Sequence, residues 1–139
     1  MFITADQILC HLVGDYIFQS HWMAQNKTKS TYVAAIHALT YSIPFMFLTW
    51  DWLTLSFIFW THLAIDRLSL AKYVVWIKNG YLFDTVPSPR PGVDWDMRPI
   101  TSTGYGEDVP PWLAVWLLII ADNTLHLICN GIALKWLAA

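Results

Sequence analysis

The chain has 139 residues, 56 % of them hydrophobic and only 13 % charged, with a mean hydropathy of +0.43. A soluble domain of this length carries about a quarter charged residues, so composition favours bilayer over water as the solvent. A formal net charge of −2, a pI near 6.1 and the absence of any Lys/Arg run argue against nucleic acid as a partner.

The N-terminal MFITADQ has no basic region and no small-residue cleavage site, so no removable signal peptide is expected. Thr4 to Gln7 is a capping-box pattern opening a helix over residues 4–25, with His11, Asp15 and Gln19 recurring at four-residue steps. Asn26 to Ser30 reads as a basic polar turn. The apolar stretch 31–50 follows as a second helix, kinked by Pro44, and Asp51 alone separates it from a third over 52–78. Residues 79–111 form a polar loop: six of the seven prolines and three of the six glycines fall between Phe83 and Pro111, together with Arg90 and Arg98. A last apolar helix spans 112–136. Cys10 and Cys129 both sit in apolar segments and read as buried small hydrophobes.

These elements predict one all-α domain over 1–139, an integral membrane bundle of about four transmembrane helices. Trp50, Trp52, Trp76, Trp112 and Trp136 lie near helix ends, where indole prefers the headgroup layer. Lys27, Lys29, Arg67, Lys72 and Lys78 place the loops at 26–30 and 79–111 in the cytoplasm, with both termini outside a multi-pass inner (cytoplasmic) membrane protein.

The chemistry-bearing residues are paired. His11 and Asp15, His62 and Asp66, and Asp122 and His126 are each spaced i,i+4, so each pair projects from one helix face, and His37 stands alone on the second helix. With a rise of 1.5 Å per residue, antiparallel helices bring all seven near the bilayer midplane. A charge at that depth costs at least about 2.5 kcal/mol and normally finds a partner. Imidazole and carboxylate sets on facing helices suit a divalent metal ion, Zn, Mn or Fe. The plain alternative is that each pair neutralises itself and fixes helix packing. Gln19 and Asn123 read as outer residues that orient ligands or as packing amides; Lys27 and Arg67 could meet an anionic headgroup, although their role as topology determinants already accounts for them. His11 to Asp15 and His62 to Asp66 match as HLxxD, an echo compatible with two helical hairpins related by a parallel repeat.

HLVGDYIFQSHWMAQNK at 11–27, the lone His37, HLAIDRLSLAK at 62–72 and DNTLH at 122–126 resemble the motif series of a family of small bacterial and phage integral membrane proteins, a domain of unknown function. The pattern is also similar in style to predicted inner-membrane metal-dependent hydrolases. The resemblance carries over His11, Asp15, Gln19, His37, His62, Asp66, Asp122 and His126. Asn123 departs from it, since glutamine is expected after the aspartate.

The leading expectation is a membrane-embedded metal-dependent hydrolase acting on a lipid-linked ester or phosphoester. Its metal set comes from His11, Asp15, His37, His62, Asp66, Asp122 and His126, with Asp66, Asp122 and His37 as the catalytic candidates. No nucleophile elbow or phosphate loop occurs, so metal-activated water is the hydrolytic chemistry these residues can build. The same stripe also suits a proton or metal-ion relay. A third expectation is a non-enzymatic, phage-type interaction protein, forming a homo-oligomer or joining a membrane complex through the loop 84–110.

Overall fold

A computed structural model describes residues 3–88, 91–97 and 99–138; Arg90 and Arg98 of the polar loop lie outside the described residues. The helices are α1 (Ala5–Leu12), α2 (His21–Asn26), α3 (Thr31–Ser42), α4 (Trp52–Leu68), α5 (Leu70–Lys78) and α6 (Pro111–Trp136), with a short hairpin of β1 (Thr85–Pro87) and β2 (Trp95–Met97). The chain divides into two compact units, residues 1–69 with 123–139, and residues 70–122.

The four-span bundle does not form: among the described residues only Pro111–Trp136 is long and apolar enough to cross a membrane. Local chemistry breaks the other three apolar stretches. The stretch 4–25 leaves α geometry after Leu12, passes through one π turn at Val13–Ile17, and restarts at α2, where the Ser20 side chain accepts from the Met23 N–H. The stretch 31–50 gives α3 only to Ser42. Pro44 has no N–H to continue the ladder, so the chain tightens into a 3-10 turn at Ile43–Phe47, with the Ile43 N–H on the Thr40 carbonyl. The stretch 52–78 divides at Ser69, whose left-handed backbone (φ 50°, ψ 50°) caps α4. The orientation drawn from Lys and Arg placement needs several spans and has no support in this architecture. The HLxxD echo is not a structural repeat either, since the first copy runs into the π turn and the second lies in regular α4.

In the first unit, Cys10, Tyr41, Phe45, Ile58 and Ala133 form the apolar core. Gly14 lets the π turn approach α3: a Cβ there would stand 2.6 Å from Tyr41 Cδ2 and 3.0 Å from the Tyr41 carbonyl oxygen. Cys10 donates its thiol to the Pro44 carbonyl at 3.3 Å. The unit inverts the usual distribution of polarity. Gln7, His11, His37, Thr54, His62, Asp66, His126 and Asn130 are buried, while Ile17, Phe47 and Trp60 are 73 %, 90 % and 61 % exposed.

The second unit packs Val75, Tyr105 and Ala114 together with Val109, Leu117 and Leu118. Gly104 (φ 78°) lies against the Lys72 carbonyl, where any side chain would collide. The segment read as loop contains the antiparallel hairpin, in register Thr85 to Met97, Val86 to Asp96 and Pro87 to Trp95.

Candidate metal centre

Four elements of the first unit deliver the polar cluster. The π turn supplies Asp15, α3 supplies His37 and Tyr41, α4 supplies His62 and Asp66, and the C-terminal half of α6 supplies His126 and Asn130. His37 Nε2 lies 3.0 Å from His62 Nε2, 3.2 Å from Asp15 Oδ1 and 3.2 Å from Asp66 Oδ2. His62 Nε2 lies 3.1 Å from Asp66 Oδ2 and 3.5 Å from Asp15 Oδ1, and His126 Nε2 lies 3.6 Å from Asp66 Oδ1.

These distances exceed what hydrogen bonding can use. His37 Nε2 carries at most one hydrogen, yet three groups able to accept it stand within 3.2 Å. Asp66 Oδ2 is buried with Lys27 Nζ, His62 Nε2 and His37 Nε2 at 3.0, 3.1 and 3.2 Å, and none of them aims a hydrogen at it in bonding geometry. Tetrahedral ligands about 2.05 Å from an ion lie about 3.3 Å apart. The observed separations of 3.0–3.6 Å fall around that edge length. Asp15, His62 and His126 form one set able to hold an ion, and His37, His62 and Asp66 another. One conventional feature is missing: His37 Nδ1 and His62 Nδ1 are buried without a hydrogen-bond partner among the described residues, whereas metal-bound histidines usually donate from the second nitrogen.

A hydrogen-bonded frame surrounds the cluster. Asn130 Nδ2 donates to the Tyr41 hydroxyl at 2.6 Å, and that hydroxyl is 2.9 Å from His11 Nδ1. His11 Nε2 donates to Asn123 Oδ1 at 3.1 Å, and Asn123 Nδ2 donates to the Tyr16 hydroxyl at 2.9 Å. A carbonyl oxygen only accepts, so His11 carries its proton on Nε2 and, when neutral, takes the Tyr41 hydroxyl hydrogen on Nδ1. His11 thus engages both ring nitrogens and stands 3.4 Å from Asp15 Oδ2, as an orienting neighbour would. The Tyr41 ring stacks on His62 with centroids 3.6 Å apart and planes 18° from parallel. Gln7 Nε2 donates to the Leu127 carbonyl at 2.7 Å, tying α1 to α6.

Electrostatics separates the histidines. Burial pulls His62 down to about 4, outweighing Asp66 and Asp15, so its ring is neutral at pH 7. Burial also depresses His37, but pairing with Asp15 and Asp66 more than offsets this and leaves it raised. Burial would raise Asp66, yet His126, His37 and His62 hold it well below the usual carboxylate range. Asp15 is lowered too, burial being overcome by His37, His62, His126 and Lys27. Burial pushes the Tyr41 hydroxyl well above its ordinary value, which keeps it a donor.

Of the expected residues, the structure gathers His11, Asp15, His37, His62, Asp66, His126 and Asn123 in the first unit. Asp122 precedes His126 by one turn of α6, is half-buried, and closes the second unit. Gln19 falls at the break between the π turn and α2; its Oε1 is buried without a hydrogen-bond partner among the described residues. Sequence reasoning underweighted Tyr41 and missed Gln7 and Asn130, although each lies four residues from a cluster histidine. It read Lys27 as a topology signal or a contact for an anionic headgroup, whereas Lys27 Nζ stands 3.0 Å from Asp66 Oδ2.

No curated protein and no solved structure matches the chain. A family model described as a protein of unknown function, DUF3307, matches residues 3–86, a segment that contains His11, Asp15, His37, His62 and Asp66 but ends before α6. The match covers more than half of the chain, and the chain belongs to that family.

Proposed function

We propose that the first unit holds a divalent transition-metal ion, Zn, Mn or Fe, between His37, His62, His126, Asp15 and Asp66, and that the protein is a metal-dependent hydrolase of an ester or phosphoester. The observation that carries this reading is the convergence of His37 Nε2 on three acceptors at 3.0–3.2 Å, more than one hydrogen can serve and all at the spacing of a coordination shell. An ion there would supply Lewis-acid chemistry and lower the pKa of a coordinated water. Asp66 and Asp15 would balance its charge. Tyr41, through its stack on His62 and its bond to His11, would fix the imidazoles in place.

Two features support a substrate drawn from a lipid surface: the inversion of polarity in the first unit and the length and apolarity of α6. The test is elemental analysis of protein purified without chelator, beside His62→Ala and Asp66→Ala, followed by hydrolysis assays on lipid and lipid-phosphate esters with chelator and metal add-back. Stoichiometric metal in wild type and its loss in both variants are expected; equal metal in all three would exclude these ligands. A proton relay is the second reading, favoured by the unbroken contact Asp15–His37–His62. Asp66-dependent proton flux across liposomes from protein that retains no metal and hydrolyses nothing would select it.

A further inference from the structure

Lys27 meets the cluster from the turn between α2 and α3. Its Nζ lies 3.0 Å from Asp66 Oδ2, with the lysine side chain 17 % exposed, so it stands where the buried site meets solvent. The next residue of α4 holds that turn in place: Arg67 donates from Nη1 to the Thr28 carbonyl at 2.7 Å and from Nε to Thr31 Oγ1 at 3.1 Å. Two adjacent residues thus divide the work, Asp66 facing inward and Arg67 fastening the turn that carries Lys27.

The first unit contains Asp6, Asp15, Asp51 and Asp66 as its acidic side chains. Asp51 caps the opposite end of α4 through the Thr54 N–H and hydroxyl, and Asp6 lies in the first turn of α1. Of these four, Asp15 and Asp66 face the cluster. A divalent ion held by Asp66 would draw on the carboxylate charge that Lys27 now meets, and the histidines would bind it as neutral rings. The Lys27 ammonium would then lose its carboxylate partner at the solvent edge, held there by Arg67 on the Thr28 carbonyl.

We infer that Lys27, set by the Arg67 clamp against Asp66 at the solvent edge of the cluster, recognises the phosphoryl oxyanion of the substrate. This deepens the hydrolase reading and rests on it, selecting a phosphoester over a neutral ester. The ammonium pairs with Asp66 in this structure; an ion held by Asp66 would leave the ammonium available to a phosphoryl oxyanion. Lysine suits this role as a compact cation on a flexible stem that can follow the anion. The phosphoryl group can belong to a lipid headgroup or to a small phosphate ester, and the two sources separate in the test.

The test uses the full chain loaded with zinc, with metal content measured on every sample. Inorganic phosphate binding is followed by calorimetry for wild type, Lys27→Met, Lys27→Gln and Lys27→Arg. Binding to vesicles of phosphatidic acid in phosphatidylcholine, against phosphatidylcholine alone, is followed in parallel. The expected result is at least a tenfold loss of phosphate or phosphatidic acid binding in Lys27→Met and Lys27→Gln, with most of it kept in Lys27→Arg. Zinc affinity should be tighter in the neutral variants, because a competing cation has left Asp66; a merely structural lysine would not tighten it. Binding to phosphatidic acid vesicles without inorganic phosphate binding assigns the headgroup, and binding to both assigns the phosphoryl group in general. Zinc-loaded wild type that binds neither probe, or neutral variants that bind both as wild type does, would overturn the role of Lys27 and leave the metal centre standing. A wild type that takes up no zinc would remove the hydrolase reading first and this inference with it.

Discussion

Gly14→Ala probes whether the π turn is built around Tyr41. The added Cβ would meet Tyr41 Cδ2 at 2.6 Å, the Tyr41 carbonyl oxygen at 3.0 Å and the Tyr41 Cα at 3.2 Å. Ordinary carbon contacts lie at about 3.5–4.0 Å, so roughly an ångström of overlap must be relieved. Two of the three atoms are backbone of α3 and do not rotate away. The ring is also held, by Asn130 at 2.6 Å on its hydroxyl and by the His62 stack at 3.6 Å. Overpacking of this kind costs about 1–3 kcal/mol. For a chain of this size that is a fall in Tm of about 3–12 °C, scaled from the usual few degrees per kcal/mol. Displacement of the π turn also moves Asp15, so metal affinity should drop by about tenfold or more, as it does when ligand-orienting contacts are lost. Thermal unfolding by circular dichroism on metal-free protein and a chelator-competition titration supply both numbers. A variant that melts within about 1 °C of wild type and binds zinc equally would refute the close approach of the π turn to α3.

Asp66→Asn keeps the shape of the side chain and removes its charge; zinc affinity should fall at least about a hundredfold, beyond the loss typical of an outer residue, and competition titration measures it. Tyr41→Phe keeps the stack on His62 but strips partners from Asn130 and His11; it should cost about 1–3 kcal/mol in chemical denaturation, while neutral stability would contradict the frame. His62 titrates at about 4 in the folded chain against an ordinary value of about 6.5 when unfolded, so its contribution is intact above pH 6.5 and is lost as pH falls towards 4. His37 is shifted upward and works in the opposite sense, which makes the informative quantity the difference between wild type and His62→Phe without metal. That difference should move by about 3 kcal/mol in favour of the variant between pH 7 and pH 4, and a flat difference would show that His62 is not held neutral by burial.

The i,i+4 pairs, the lone His37 and the convergence of most of them were legible because four-residue spacing shows on any helix, whatever surrounds it. Helix continuity was not. Apolar runs such as 31–50 and 52–78 look unbroken in composition, yet one missing N–H at Pro44 and one left-handed residue at Ser69 end them. Pro44 was visible and underrated as a mere kink. Ser69 was invisible, because serine does not announce a positive φ as glycine does. The β1–β2 hairpin was hidden by prolines and by a register of only three residue pairs.

Lys27 marks the boundary between what periodicity can and cannot reveal. It sits in a turn, outside any repeating pattern, and the positive-charge rule already offered a sufficient account of it. Its contact with Asp66 lies beside the bonds of Arg67 to Thr28 and Thr31, which are 39 and 36 residues from Arg67 in the chain. No local signal encodes a contact of that range. Yet the residues that make it stand immediately beside the ones periodicity does identify: Arg67 follows Asp66, and Thr28 follows Lys27. A polar residue adjacent to a buried ligand therefore has a second reading besides topology, as the fastening for the loop that closes the site. Arg67→Lys tests it here, because lysine retains the charge but cannot span Thr28 and Thr31 with a planar fork. If the clamp sets Lys27, this variant should lose phosphate binding in the zinc-loaded protein by several-fold while keeping its zinc; full retention of phosphate binding would reduce Arg67 to a surface charge.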